Sequence, residues 1–476
     1  MQPAVPGRLN ARWRAAGKVV ADLKWARDPV RLSLFAFVVV TVSRLHQYVG
    51  AVAKLHPPLL FFAIAAGWAV LNPRLLSWGK AMKRWPFKVL IALGVLACLS
   101  ALFGISLGHS AVFILNDYSK TLIATLLLMA ILQKGRDVSM LVWAYVIACL
   151  ILALVAVFMF RLVSAGGGIS RLAELETYDA NDLGVVVVAG VPLTLLTLTT
   201  SGRLGRLFSL GVLAAIGVTI ARTGSRGAFV GLLVVGLLLV VWLRQFALWK
   251  RLAFVAVTGV AIAVAAPAGY WAQMRTIFSP EQDYNWTAVN GRKAIALRAW
   301  GYFKAYPVFG LGINNFQMAE GTISPMALSY ARGQPGIKWS AAHNSFLQVG
   351  TEMGPIGLAL WAGLVIGGIV GMRRLRRRLP RQWAKGDREQ RFIVAATLYL
   401  PIALAGFAVS SAFVSFAYLD PIYLLAAYVT GIYACAEQRL RQEQAATGPR
   451  LGPRPPGAVL RGMPRGGGGA PRFPRG

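Results

Sequence analysis

Two arginines four residues apart in the segment ARTGSRG, Arg222 and Arg226, and the histidine that opens HNSFLQVGTEMGPIG, His343, are the side chains here best suited to chemistry. Arginine is permanently charged, and its planar fork matches the oxygens of a phosphate group. Histidine titrates near neutral pH and is the usual general base. Together these residue types suit chemistry on a phosphate ester. The segment YDANDLG adds Asp179 and Asp182. Two carboxylates so placed can bind a metal, hold sugar hydroxyls or cap the helix that follows. No His, Cys or acidic cluster has metal-ligand spacing, so no metal is expected. No cofactor is expected either, because the chain lacks a Walker motif, a nucleotide fingerprint and a nucleophile elbow.

The elements that must hold these residues are apolar. Of 476 residues, 57% are hydrophobic and 14% charged, against about a quarter charged in soluble domains. Apolar runs approaching the roughly 20 residues that cross a bilayer recur along most of the chain. They predict an all-α polytopic membrane protein with spans near 33–50, 58–72, 86–107, 112–132, 138–159, 183–199, 206–221, 227–243, 252–269, 344–372, 392–413 and 420–436. Gly354-Pro355 breaks the tenth, leaving a short helix at 343–353 before the membrane stretch. With the N-terminus inside, 36 of the 50 Lys and Arg residues fall on the cytoplasmic side. That fixes an N-in, C-in orientation with an even number of spans. The chain divides into a basic cytoplasmic arm (1–31), a transmembrane domain (32–436) and a Gly/Pro/Arg-rich tail (437–476) that is expected to be disordered. The net charge of +33 is thereby a matter of topology and inner-leaflet lipid rather than nucleic acid. No cleavable signal peptide is visible, and Cys98, Cys149 and Cys435 lie in apolar runs without a disulfide framework.

Fourteen basic residues remain outside, among them Arg44, Lys120, Arg161, Arg222, Arg226, Arg275, Arg292, Arg298, Arg332 and Lys338. Arg222 and Arg226 flank a Thr-Gly-Ser turn between two spans. Snorkelling at helix ends would explain such arginines, but the tight turn and outward position favour a functional role. The long external segment at about 270–343 contains RKAIALRAWGYFKAY at 292–306, which predicts an amphipathic helix near the interface. His343 stands where that segment re-enters the membrane. His46, His56 and His109 receive no role. Asn285-Trp-Thr matches a glycosylation sequon weakly.

Three segments resemble the bacterial O-antigen ligase and O-antigen polymerase family: TGSRGAFVGLL at 223–233, NGRKAIALRAWGYFKAYPVFGLGINNF at 290–316 and HNSFLQVGTEMGPIGL at 343–358. DANDLG at 179–184 adds weaker support, and Ala296 stands where many members have Trp. The N-terminal half is similar only in hydropathy. The resemblance implies an undecaprenyl-diphosphate-linked glycan as donor. It implies that Arg226 and Arg292 hold the diphosphate and that His343 deprotonates the acceptor hydroxyl. Arg222, Arg298, Asn344, Asp179 and Asp182 are the further candidates for substrate binding. Fixed guanidinium groups can stabilise the departing diphosphate without a metal, and direct displacement inverts the anomeric carbon. The acceptor is lipid A core, the end of another carrier-linked glycan or a protein side chain. The site is expected on the periplasmic face of the bacterial inner membrane, with the lipid bilayer as a partner. A lipid-linked-sugar transporter is the rival. It would need polar residues along a mid-membrane path, and these spans carry few.

Overall fold

The computed structural model describes residues 28–48, 50–160, 162–164, 170–172, 178–283, 286, 288, 291–330 and 339–447. The basic arm up to residue 27, Arg161, Asn285 of the sequon, Arg332, Lys338 and the tail after 447 lie outside the described residues.

The described chain is helical except for one small antiparallel ribbon, Leu162–Ser164 with Ser170–Leu172. In chain order the helices that matter here are α1 Pro29–Ser43, α2 Pro57–Leu71, α3 Trp85–Phe103, α4 Leu107–Ile131, α5 Gly135–Phe158, α6 Ala180–Thr200, α7 Arg203–Thr223, α8 Arg226–Trp242, α9 Leu248–Ala265, α10 Arg292–Ala305, α11 Phe316–Thr322, α12 Ser345–Arg378, α13 Arg388–Ser411 and α14 Asp420–Thr447. All but α10 and α11 overlap the twelve spans read from the sequence, although the first, expected over 33–50, ends at Ser43 where Arg44 turns left-handed. Among the described residues eight helices, α3 to α7, α9, α12 and α13, are long and apolar enough to cross a membrane. A ninth arises if α2 counts with Pro73–Ala81, to which it is bent by 102°. At 15 and 17 residues, α1 and α8 are apolar but short. The expected count of twelve therefore narrows to eight by length and composition. The tail assignment also changes, because α14 runs through Glu437 to Thr447. The compact unit that holds the helices up to this point ends at Ala436.

Helix starts follow local chemistry. Asp28 caps α1 ahead of Pro29, a residue suited to the first turn. Asp387 and Gln390 form a capping box at α13. The centre of the core is α6, which packs against α7, α8 and α13 and is largely buried. By contrast α9 exposes Val257, Val260 and Val264, as a helix facing hydrocarbon would.

Polar contacts sort the helix ends into two groups. In one, Arg31 Nε donates to Asp137 Oδ1 at 2.8 Å, the Gly135 N–H to Glu389 at 2.7 Å and Arg376 to Gln245 at 3.1 Å. Arg31, read as part of the arm, is thus the first turn of α1 clamped to α5. In the other, Arg44 donates to Asp420 at 3.2 Å, Arg222 to the Phe160 carbonyl at 3.1 Å and the His343 N–H to Ser415 Oγ at 2.9 Å.

The predicted break in α12 is present. Gly354 has φ 69° and ψ −175°, and Pro355 follows it. Pro355 has no N–H, so the Thr351 carbonyl loses its helical donor. The Leu311 N–H replaces it at 2.8 Å, and the Glu352 carbonyl accepts from the Gly312 N–H at 3.1 Å and Ser100 Oγ at 2.6 Å. Gly310, at φ 74°, approaches so closely that an added Cβ would lie 2.6 Å from the Thr351 oxygen. Gly310→Ala should cost at least about 1 kcal/mol through positive φ and overlap. Gly363→Ala, with open space around its Cβ, should be neutral or stabilising. Thermal unfolding of the purified variants compares them.

Candidate active site

The turn joining α7 to α8 is built from its own residues. Thr223 Oγ1 donates to the Ile220 carbonyl at 2.8 Å and accepts from the Ser225 N–H at 3.2 Å. Gly224 takes φ 59°, and Ser225 caps α8 by accepting from the Ala228 N–H. Arg226, 12% exposed, is then the first residue of α8. Its Nη1 donates to Thr276 Oγ1 at 2.8 Å and pairs with Asp283. Both contacts use one nitrogen of a group that carries five N–H donors. Arg222 Nη2 is spent on the Phe160 carbonyl, and its buried Nε has no hydrogen-bond partner among the described residues.

His343 sits in the left-handed region at φ 48°, which is uncommon for a residue with a side chain and clusters at functional sites. It is held by the segment after α13. The Ser345 hydroxyl donates to the Val414 carbonyl at 2.8 Å and accepts from the Phe416 N–H at 2.9 Å. The same segment reaches α8, for an added Cβ on Gly227 would lie 2.7 Å from Phe413 Cβ. Phe413 to Phe416 therefore bracket both Arg226's helix start and His343.

Arg292 opens α10 after Gly291. Ile295 and Ala299, on the same helical face, belong to a buried cluster with Leu311, Phe316 and Ala342, and Leu347 packs against it. The start of α10 is thus docked beside the residue preceding His343.

Four other candidates have structural partners. Arg298 forks onto the buried Glu320 carboxylate at 2.6–3.0 Å, and Tyr302 donates to the same group at 2.9 Å. Hydrogen bonding to Glu320 holds the Arg298 guanidinium above its usual range, and burial with Glu320 nearby pushes the Tyr302 phenol up. Arg298 ties α10 to α11 rather than offering a free fork. Asp179 accepts from the Asn181 and Asp182 N–H groups at 2.7 Å, and Asp182 accepts from the Asp179 N–H at 3.2 Å. Of the roles open to them, the structure shows the helix cap. Asn344 caps α12 by accepting from Phe346 and Leu347. Sequence reasoning passed over Thr276, Asp283, Glu320 and Ser415. The first segment to re-read is the long loop: between 270 and 343 it has three acids, Glu281, Asp283 and Glu320, and two of them meet candidate arginines.

The turn, the start of α10 and the start of α12 all fall inside one recognisable stretch. Residues 210–362 match the O-antigen ligase family. No curated protein matches the chain. The O-antigen ligase match takes in Arg222, Arg226, Arg292, Arg298, His343 and Asn344 and leaves out Asp179 and Asp182. It points to a membrane enzyme of glycosyltransferase type in polysaccharide assembly, acting on a lipid-linked glycan and an acceptor.

Arg298→Ala leaves the buried Glu320 carboxylate with no charge partner and only the Tyr302 hydroxyl on it, and should destabilise by about 3 kcal/mol. Lys293→Ala, at an exposed position on the same helix, should stay within about 0.5 kcal/mol. Thermal unfolding in detergent checks both.

Proposed function

We propose that this protein moves a glycan from an undecaprenyl-diphosphate carrier to an acceptor hydroxyl at the periplasmic face of the bacterial inner membrane. The observation that carries this is the meeting, within the family-matched stretch, of three separate segments that bring Arg226, Arg292 and His343 to one group of helix ends. The acceptor oxygen attacks the anomeric carbon and His343 takes its proton. The bond from that carbon to the diphosphate oxygen breaks, and configuration inverts. Arg226 and Arg292 meet the charge that grows on the diphosphate, so no metal is required. For Arg226 this means exchanging part of its contact with Asp283 for phosphate oxygen. The acceptor is lipid A core or the end of a growing glycan.

The orientation has its own support. The ends carrying Arg31, Gln245, Arg376 and Glu389 belong to loops dense in Lys and Arg, as cytoplasmic loops are. The opposite group holds the site. In this reading the twelve apolar helices all cross, the short α1 and α8 included, with both termini inside. A lipid carrier can then present its diphosphate at the outer boundary while its tail stays in hydrocarbon.

Release of undecaprenyl diphosphate from a radiolabelled carrier-linked glycan, followed with purified protein and acceptor, tests the reaction. His343→Ala should lower the rate by about 10²–10⁴, and Arg226→Ala by about 10²–10³. Full activity in both variants would overturn the assignment. In a cysteine-free background, a cysteine replacing exposed Lys293 should label from the periplasm and one replacing exposed Lys385 from the cytoplasm. The reverse pattern would overturn the orientation.

A further inference from the structure

A cavity of about 460 Å³ lies among α1, α2, α4 and the first residues of α14. None of the residues assigned to the reaction lines it. Phe37 and Phe62 supply an apolar wall, and Thr41, Arg44, Gln47 and Asp420 supply a polar one. Small-ligand sites have this make-up, mostly apolar with a few fixed polar groups.

Three polar atoms on this lining are buried and lack a hydrogen-bond partner among the described residues: Thr41 Oγ1, Arg44 Nε and Gln47 Oε1. Buried polar atoms are nearly always paired, so three orphans within seven residues mark a place where another molecule completes the bonding. Their chemistry is mixed. The arginine nitrogen donates, the amide oxygen accepts and the hydroxyl does both. A phosphate only accepts, whereas sugar hydroxyls donate and accept. The charges agree. Arg44 is met by Asp420 at 3.2 Å, whose other oxygen accepts from Thr121 at 3.1 Å. Lys120 and Asp117 add one charge of each sign. The lining is balanced, which suits a neutral, hydroxyl-rich ligand better than an anion.

Two further facts point the same way. Arg44 at φ 52° and His56 at φ 43° both line the cavity, and they are two of the four non-glycine residues with left-handed backbone among those described. His343 is another. The cavity is also tied to His343 by a short strap. Ser415 holds the His343 N–H, and Asp420 lines the cavity five residues later. Five residues span at most about 18 Å, so an oligosaccharide of a few rings reaches from one to the other.

We infer that this cavity binds the sugar end of a membrane-anchored glycan, the acceptor of the reaction proposed above. The assignment as acceptor rests on that reaction, and the binding itself does not. Calorimetric titration of the full-length protein in lipid nanodiscs tests it. One probe is the delipidated oligosaccharide released by mild acid from the host's own envelope glycolipids, and the other is inorganic pyrophosphate. Thr41→Val/Gln47→Leu should weaken oligosaccharide binding roughly tenfold or more and leave pyrophosphate binding unchanged. Its melting temperature should hold or rise, because removing unpaired buried polar atoms is neutral or stabilising. No saturable oligosaccharide binding to wild type, equal binding by the double variant, or loss of pyrophosphate binding in it would overturn the inference. Oligosaccharide binding without any diphosphate release by wild type would leave the glycan site standing and sink the reaction.

Discussion

A proline deprives the Thr351 carbonyl of its helical partner, and the N–H of Leu311 takes the empty place. This exchange joins the long external loop to the membrane helix, and much else follows from it. The bond requires the backbone of Gly310 to Gly312 to lie against α12, which their positive φ angles permit. Once there, Leu311 accepts from the Ile105 N–H at 2.8 Å and Ile313 from Ser110 at 2.7 Å. Phe316 donates its N–H to Glu352 at 3.0 Å. A single irregular segment thereby fastens α3, α4, α11 and α12 together. Leu311 and Phe316 then seat α10, and with it Arg292, beside the start of α12.

The loop that positions the site is organised by acids used one at a time. The chain holds 17 Asp and Glu against 50 Lys and Arg. A buried carboxylate in such a protein is seldom idle. Asp137 clamps Arg31, Asp420 clamps Arg44, Asp283 meets Arg226 and Glu320 takes the fork of Arg298. Each pair closes a contact between elements distant in sequence. The arginines are not spent equally: Arg298 commits its fork to Glu320, whereas Arg226 meets Thr276 and Asp283 through one nitrogen.

Each of the twelve apolar runs overlaps a helix, though only eight of these are long enough to cross by length and composition, because a continuous apolar run in a bilayer must satisfy its own backbone. Hydropathy also placed α10 to within a residue, and the break at Gly354-Pro355, since both rest on local chemistry. What it could not reach was pairwise. Arg226 and Arg298 look alike as exposed loop arginines, and only Thr276, Asp283 and Glu320 distinguish them. Asp179 and Asp182 read equally well as ligands or caps until their oxygens are seen on the amides of α6. Length was the other blind spot. Hydropathy does not say whether 15 apolar residues cross a bilayer or end short of it.

The strap from Val414 to Asp420 has an evolutionary consequence. Its first residues hold His343 and Ser345, its middle holds Gln348 and Trp361, and its end holds Arg44 and Thr121. Inserting or deleting one residue would shift every later partner by a full repeat of the chain. The loop at 270–343 is held differently, at separate points through Thr276, Asp283, Leu311 and Glu320. Natural variation in length should therefore collect in the long loop, while the strap keeps a constant number of residues however far its sequence drifts.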